Sequence, residues 1–92
     1  MTTETKRTLE IVNEKGLHAR ASAKFVEAVE AHDATARVEK DGIDAEGDSI
    51  MGLLMLAASK GTTIDVETSG PDAVTLMNAL DALVADKFGE GM

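Results

Sequence analysis

The feature that most constrains this chain lies near its C-terminal end. Ala73, Leu76, Met77, Leu80, Leu83, Val84 and Phe88 fall at helical spacing and form one apolar stripe. A helix with a single apolar stripe must lay it against another layer. The other long segments supply that layer. Thr8–Val12, Thr35–Lys40, Gly42–Glu46 and Thr62–Thr68 alternate apolar and polar residues as half-buried strands do, and Asp41-Gly42 between the middle two is a hairpin signal. Ala19–Ala31, with Ser22, Phe25, Val26 and Val29 on one side, reads as a second amphipathic helix. IMGLLMLAASK after Ser49 is apolar on nearly all sides and reads as a short third helix, part core and part exposed patch. Pro71 suits the first position of the last helix and Asp72 its dipole. The order is β-α-β-β-α-β-α: an α+β sandwich with a four-stranded antiparallel sheet, one face wet and the other covered by three helices.

With 92 residues and no linker or repeat, a single domain over 1–92 is expected, frayed at 1–6 and mobile at the 89–92 tail. The absence of cysteine removes disulfides, thiol chemistry and Cys-based zinc sites, and fits a cytoplasmic setting. The opening MTTETKRTLE lacks the apolar core of a signal peptide, and no apolar run suggests membrane insertion. A formal net charge of −8, with Phe25 and Phe88 the sole aromatics, argues against nucleic acid as a partner.

One stretch departs from that acidity. Between Val12 and Lys24 stand Lys15, Arg20 and Lys24 against Glu14 alone. Within it, Gly16-Leu17-His18 leads into the first helix and sets His18 at or beside the N-cap. Helix N-termini carry free N–H groups and partial positive charge, so they suit anions. Arg20 adds a fork of donors matched to phosphate oxygens. A neutral imidazole there can act as a nucleophile, and the surrounding donors face any negative charge it acquires. By spacing alone, a surface-loop histidine with no role is the better reading, since a lone histidine and arginine at a helix start are a weak signal.

The segment NEKGLHARASAKF resembles the active-site segment of the HPr family, phosphocarriers of the bacterial phosphoenolpyruvate-dependent phosphotransferase system. The family pattern G-L-H-A-R-P-[AS] reads G-L-H-A-R-A-S here, and a second family segment, S-I-M-G before an apolar helix, is Ser49-Ile50-Met51-Gly52. The resemblance runs from Leu9 to Phe88 and implies the HPr open-faced β-sandwich, βαββαβα. It implies phosphorylation of His18 at Nδ1, phosphate stabilisation by Arg20 and by the backbone of Ala19 and Arg20, and regulatory phosphorylation at Ser49. It further implies that Enzyme I, or its nitrogen-branch counterpart, is the donor and an Enzyme II A component the acceptor, with a serine kinase/phosphorylase as a further partner. The chain is then a carrier and not an enzyme, a monomer without cofactor or metal; the phosphoryl group comes from phosphoenolpyruvate, and Mg2+ serves Enzyme I. The expected partner surface comprises Met51, Leu54, Ala21 and Lys24.

Three positions depart from the family. Ala21 replaces the usual proline, which points to a tuned site and, with the GLLMLAASKG helix, leans toward a regulatory relay over sugar uptake. Asp48 precedes Ser49 where many members carry lysine, and its carboxylate would repel a phosphate there. Glu27 and Glu30 stand on the first helix where many carry lysines. Two other readings remain open. One is a regulatory interaction protein of the same fold, switched at Ser49. The other is an unrelated α+β domain that holds a free anion at the helix start. Histidine His32, near a helix C-terminus, reads as structural.

Overall fold

The computed structural model describes residues 3–90. The elements run β1 (Thr3–Glu10), α1 (Ala19–Glu30), β2 (Thr35–Lys40), β3 (Ile43–Glu46), α2 (Ile50–Met55), β4 (Thr63–Gly70) and α3 (Ala73–Ala85), followed by a short 3-10 turn, Lys87–Gly89. The strands form one sheet in the order β1-β4-β2-β3. All its pairings are antiparallel. The expected element order and the antiparallel sheet are therefore both present.

The alternation of each strand sorts its residues between the two faces. Leu9, Ala36, Val38, Ala45, Ile64, Val66 and Thr68 turn inward and are buried. On the other face the register aligns charges in rows. Lys6 lies opposite Glu67, which lies opposite Arg37, which lies opposite Glu46, so signs alternate across the sheet. The next row carries Thr8, Asp65, Glu39 and Asp44, three adjacent carboxylates. Cross-strand neighbours on one face lie close enough for the first row to attract and the second to repel.

The helices bring their stripes to the inner face. α1 buries Ala21, Ser22, Phe25, Val26 and Val29. α3 buries Ala73, Leu76, Met77, Leu80 and Val84. α2 buries only Leu53 among its six residues. The hairpin between β2 and β3 turns at Asp41 and Gly42, with φ of 52° and 82°. Two successive positive φ values are what an Asp-Gly hairpin turn requires.

The boundaries differ from expectation in four places. Thr3–Lys6 are not frayed but paired with Gly70–Glu67 of β4. They were unrecognisable because they are polar on both faces; Thr5 is held by a hydroxyl–hydroxyl bond to buried Thr68, not by apolar packing. α2 stops at Met55 because Ala57 adopts φ of 51°, and the turned chain drops Ala58 into the core. Asp72, and not Pro71, stands next before α3, and its carboxylate accepts from the Asp33 N–H at 2.8 Å, outside its own helix. Phe88 lies beyond α3 in the 3-10 turn, yet is fully buried. The expected fraying at residues 1–2 and mobility at residues 91–92 fall outside the described residues. Of the expected tail, Gly89 ends the 3-10 turn and Glu90 donates its N–H to the Lys87 carbonyl.

Candidate functional site

The site begins with a glycine. Gly16 has φ of 64°, and a Cβ there would stand 2.4 Å from the Ala58 carbonyl oxygen. Only glycine permits both the left-handed turn and so close an approach. The approach lets Leu17 N–H donate to Ala58 O at 2.8 Å, which fastens the loop to the segment after α2. Buried Ser22 reaches back to Leu17 O at 3.3 Å, and its N–H closes the first helical bond to His18 O at 2.8 Å. Between these ties the backbone of His18 is extended, with φ of −79° and ψ of −176°.

His18 is the N-cap of α1. Its Nδ1 accepts from Arg20 N–H at 3.2 Å. An acceptor Nδ1 on a neutral ring leaves the proton on Nε2. Nε2 is bonded to the carboxylate of Glu90. Arg20 is exposed, and no carboxylate among the described residues pairs with it. The backbone of Ala19 and Arg20, expected to hold an anion, lies at the helix start, with the Arg20 N–H engaged by His18 itself.

Glu90 comes from a part of the chain that carried no expected role. The 3-10 turn passes through Lys87, Phe88 and Gly89 at φ of 57°, 55° and 77°. Two of these are not glycine, and a left-handed residue with a side chain costs roughly 1–2 kcal/mol. Full burial of a phenylalanine is worth about 1.5–3 kcal/mol, enough to offset much of that strain. Phe88 is fully buried, and Lys24 Nζ donates to its carbonyl at 2.6 Å. The hook so formed returns Glu90 to the His18 loop. Asn13 then donates through Nδ2 to Gly16 O at 2.8 Å and to Glu90 Oε1 at 3.0 Å. The His18 bond, and after it the Asn13 bond, hold the Glu90 carboxyl below the usual glutamate range. Asn13 is itself fully buried, and its Oδ1 has no partner among the described residues. Sequence reasoning passed over both residues. The one available signal was Phe88, whose place on the α3 stripe implied that the chain end stays on the body.

The expected partner surface is revised. Ala21 is fully buried, because position 21 of the first turn faces the core, so it contacts no partner. Lys24 is committed to Phe88 O. Leu54 is half-buried. Met51 is 70% exposed, and so is Met55, with Ile50 beside them at 40%. The apolar patch is thus Ile50, Met51 and Met55, with Leu54 at its margin. Ser49 caps α2, its Oγ accepting from Gly52 N–H at 3.0 Å, and Asp48 beside it is exposed. His32 bonds Ala28 O at 2.6 Å through Nδ1, a structural placement. Among the described residues no group of three His, Cys, Asp or Glu side chains is placed to hold a metal ion. Among the described residues no helix is long and apolar enough to cross a membrane.

This arrangement of sheet, helices and capped histidine is that of a known class. The family model described as "PTS HPr component phosphorylation site" matches residues 5–86. The chain belongs to the HPr family, phosphocarriers of the phosphotransferase system. It is 48% identical over 86 residues to phosphocarrier protein HPr of Neisseria meningitidis, covering 94% of this chain and 97% of that one. It is 40% identical over 86 residues to phosphocarrier protein NPr of Escherichia coli K12, covering 92% and 96%. Among solved structures, HPr of Thermoanaerobacter tengcongensis superposes with a TM-score of 0.90 at 36% identity, covering 96% and 99%. HPr of Bacillus anthracis superposes at 0.84 with 34% identity, covering 89% and 98%.

Proposed function

We propose that His18 is the phosphoryl-carrying residue, charged by phospho-Enzyme I or its nitrogen-branch counterpart and discharged to an Enzyme II A component. The observation that carries this reading is the His18 Nδ1 lone pair, directed at the Arg20 N–H of the α1 N-terminus. Nδ1 is the unprotonated nitrogen and so the nucleophile. A phosphoryl group on it brings its oxygens to the free N–H groups of the first helical turn and within reach of the Arg20 guanidinium. The charge that develops in transfer therefore meets donors already at the site, with the Arg20 N–H passing from Nδ1 to a phosphoryl oxygen. His18 keeps 27% of its side chain exposed, which leaves a path for an incoming phosphohistidine.

The partner docks on the patch of Ile50, Met51 and Met55. Exposed methionines on a short helix adapt to more than one partner surface. α2 packs against α1, so the patch and His18 belong to neighbouring helices. Intact mass measured after incubation with phosphoenolpyruvate, Mg2+ and Enzyme I of each branch tests the assignment. One acid-labile phosphate, absent in His18→Ala, is expected, and the Enzyme I that delivers it names the branch. Failure with both enzymes on folded protein overturns the assignment.

A second reading concerns Ser49, and its half-exposed cap position favours it. Phosphate at an N-cap is favoured by the helix end. It would sit beside the docking patch and lower partner affinity. Asp48 opposes it by like-charge repulsion, so a kinase for this chain must tolerate an acidic residue next to the target.

A further inference from the structure

The hook that ends the described chain has no part in the transfer step above, yet it spends two left-handed non-glycine residues to bring one carboxylate to His18. We propose that Glu90 is a positioning residue for His18, holding the imidazole in the tautomer and orientation that leave Nδ1 unprotonated, as the nucleophile. This rests on the reading of His18 as the phosphoryl acceptor.

Four observations converge on it. Glu90 contacts Nε2 and not Nδ1, so it sits on the far side of the ring from the helix N-terminus. A carboxylate accepts only, and it therefore fixes the proton on Nε2. Glu90 is in turn oriented by Asn13, whose amide direction is unambiguous: turned over, it would set its oxygen against the Gly16 carbonyl and the Glu90 carboxylate, two acceptors. The Asn13 side chain is fully buried and keeps this direction although its own Oδ1 is left without a partner among the described residues. Finally, the hook is anchored independently of Glu90, by buried Phe88 and by Lys24 on the Phe88 carbonyl. The carboxylate is thus delivered by the fold and does not merely settle on the nearest cation. Lys15, the other basic residue acting on Glu90, does so only through its field.

In the transfer step, the Nδ1–P bond forms as the N–P bond of the donor's phosphohistidine breaks. The Nε2 proton stays on the ring throughout. Positive charge that grows on the imidazole is faced by Glu90. When the phosphoryl group moves on, the bonding pair returns to Nδ1, and the tautomer is already the one needed for the next cycle.

The test reads the ring directly. Nitrogen-15 correlation spectra of the free protein at about pH 8, above the ordinary histidine range, report which nitrogen of His18 bears the proton, with His32 as internal reference. We compare the wild type, Glu90→Ala, and Glu14→Ala as a control, since Glu14 pairs with Lys60 and not with His18. The expected result is a single Nε2–H tautomer in the wild type and the control. Glu90→Ala should give an averaged mixture at His18, an unchanged His32 signal and an unchanged circular dichroism spectrum. Single-turnover phosphorylation should slow roughly tenfold, the scale on which a histidine's orienting partner acts. An unchanged tautomer in Glu90→Ala overturns the proposal even if the rate falls, and so does a mixture already present in the wild type. A wild type that takes no phosphoryl group sinks the carrier assignment instead, and in that case Glu90 has no transfer to serve.

Discussion

Replacing Gly16 with alanine, set against the same change at Gly42, isolates what the His18 loop demands of the backbone. Both glycines have positive φ, 64° and 82°. Both alanines therefore meet the left-handed penalty, roughly 1–2 kcal/mol. They differ in surroundings. A Cβ at Gly42 finds nothing within 4 Å, whereas one at Gly16 would lie 2.4 Å from Ala58 O and 2.9 Å from the Ser59 Cα, closer than the 3.0 Å that real Cβ contacts keep. The obstacle is backbone and cannot rotate away. The 58–59 segment must retreat by about half an ångström or more, which stretches the 2.8 Å bond from Leu17 N–H to Ala58 O. Leaving those partners unsatisfied at a buried site adds roughly 1–3 kcal/mol. Gly42→Ala should thus cost about 1–2 kcal/mol and Gly16→Ala about 2–5 kcal/mol. In a domain this size each kcal/mol lowers Tm by about 4–8 °C. The chain has no tryptophan or tyrosine, so thermal and urea unfolding followed by far-ultraviolet circular dichroism is the assay. Equal losses at the two positions would refute the steric argument and leave only the φ penalty.

Four further outcomes follow from the same geometry. Phe88→Ala removes the hook's buried anchor; a fully buried phenylalanine ordinarily costs about 3–5 kcal/mol, but the hook can peel away, so unfolding should show about half of that while hydrogen exchange at Gly89 and Glu90 rises sharply. Glu39→Lys sets a cation between Asp65 and Asp44 in the row of carboxylates and should stabilise the fold by roughly 0.5–1 kcal/mol at low salt, an effect that fades at high salt; no salt dependence would mean the row does not repel. On acidification, Glu90 is held below its usual range by His18 first and Asn13 next; since its folded value lies below its unfolded one, its contribution is complete above about pH 4.3 and drains away as pH falls through the folded value. Proton spectra should then show the hook loosening below that point and not above it. Met51→Asp places a charge on a residue 70% exposed, so it should leave Tm within about 2 °C while slowing transfer from Enzyme I tenfold or more.

What the sequence disclosed and what it hid divide along a physical line. β2, the Asp41-Gly42 turn and the start of α1 could be read because alternation, turn chemistry and the helical stripe all act within a few residues. His18 could be placed at the helix start for the same reason. The hidden parts depend on partners far away in the chain. Thr3–Lys6 join the sheet through β4, about sixty residues later. Ala21 looked available on a polar-flanked helix start, but the angle at which α1 meets the core buries it. Glu90 is an unremarkable glycine-flanked acid until three left-handed residues turn it toward a loop 72 positions earlier.

The strand order carries a consequence for how the protein comes to be made. β1 has one neighbour in the sheet, and that neighbour is β4. The loop bearing His18 is tied at Ile11 to Thr62 and at Leu17 to Ala58. A nascent chain emerging from the ribosome can build the β2–β3 hairpin early, since its contacts are local. It must then hold an N-terminal strand unpaired, with Leu9 and Ile11 uncovered, until the last third of the sequence appears. Contacts of such long separation close slowly and leave the chain exposed to aggregation meanwhile. The loop bearing His18 is accordingly among the later parts to take shape, and its contact with Glu90 later still. A chain cut before residue 90 retains the segments of every strand and of α1 to α3 but loses the carboxylate that meets His18 Nε2.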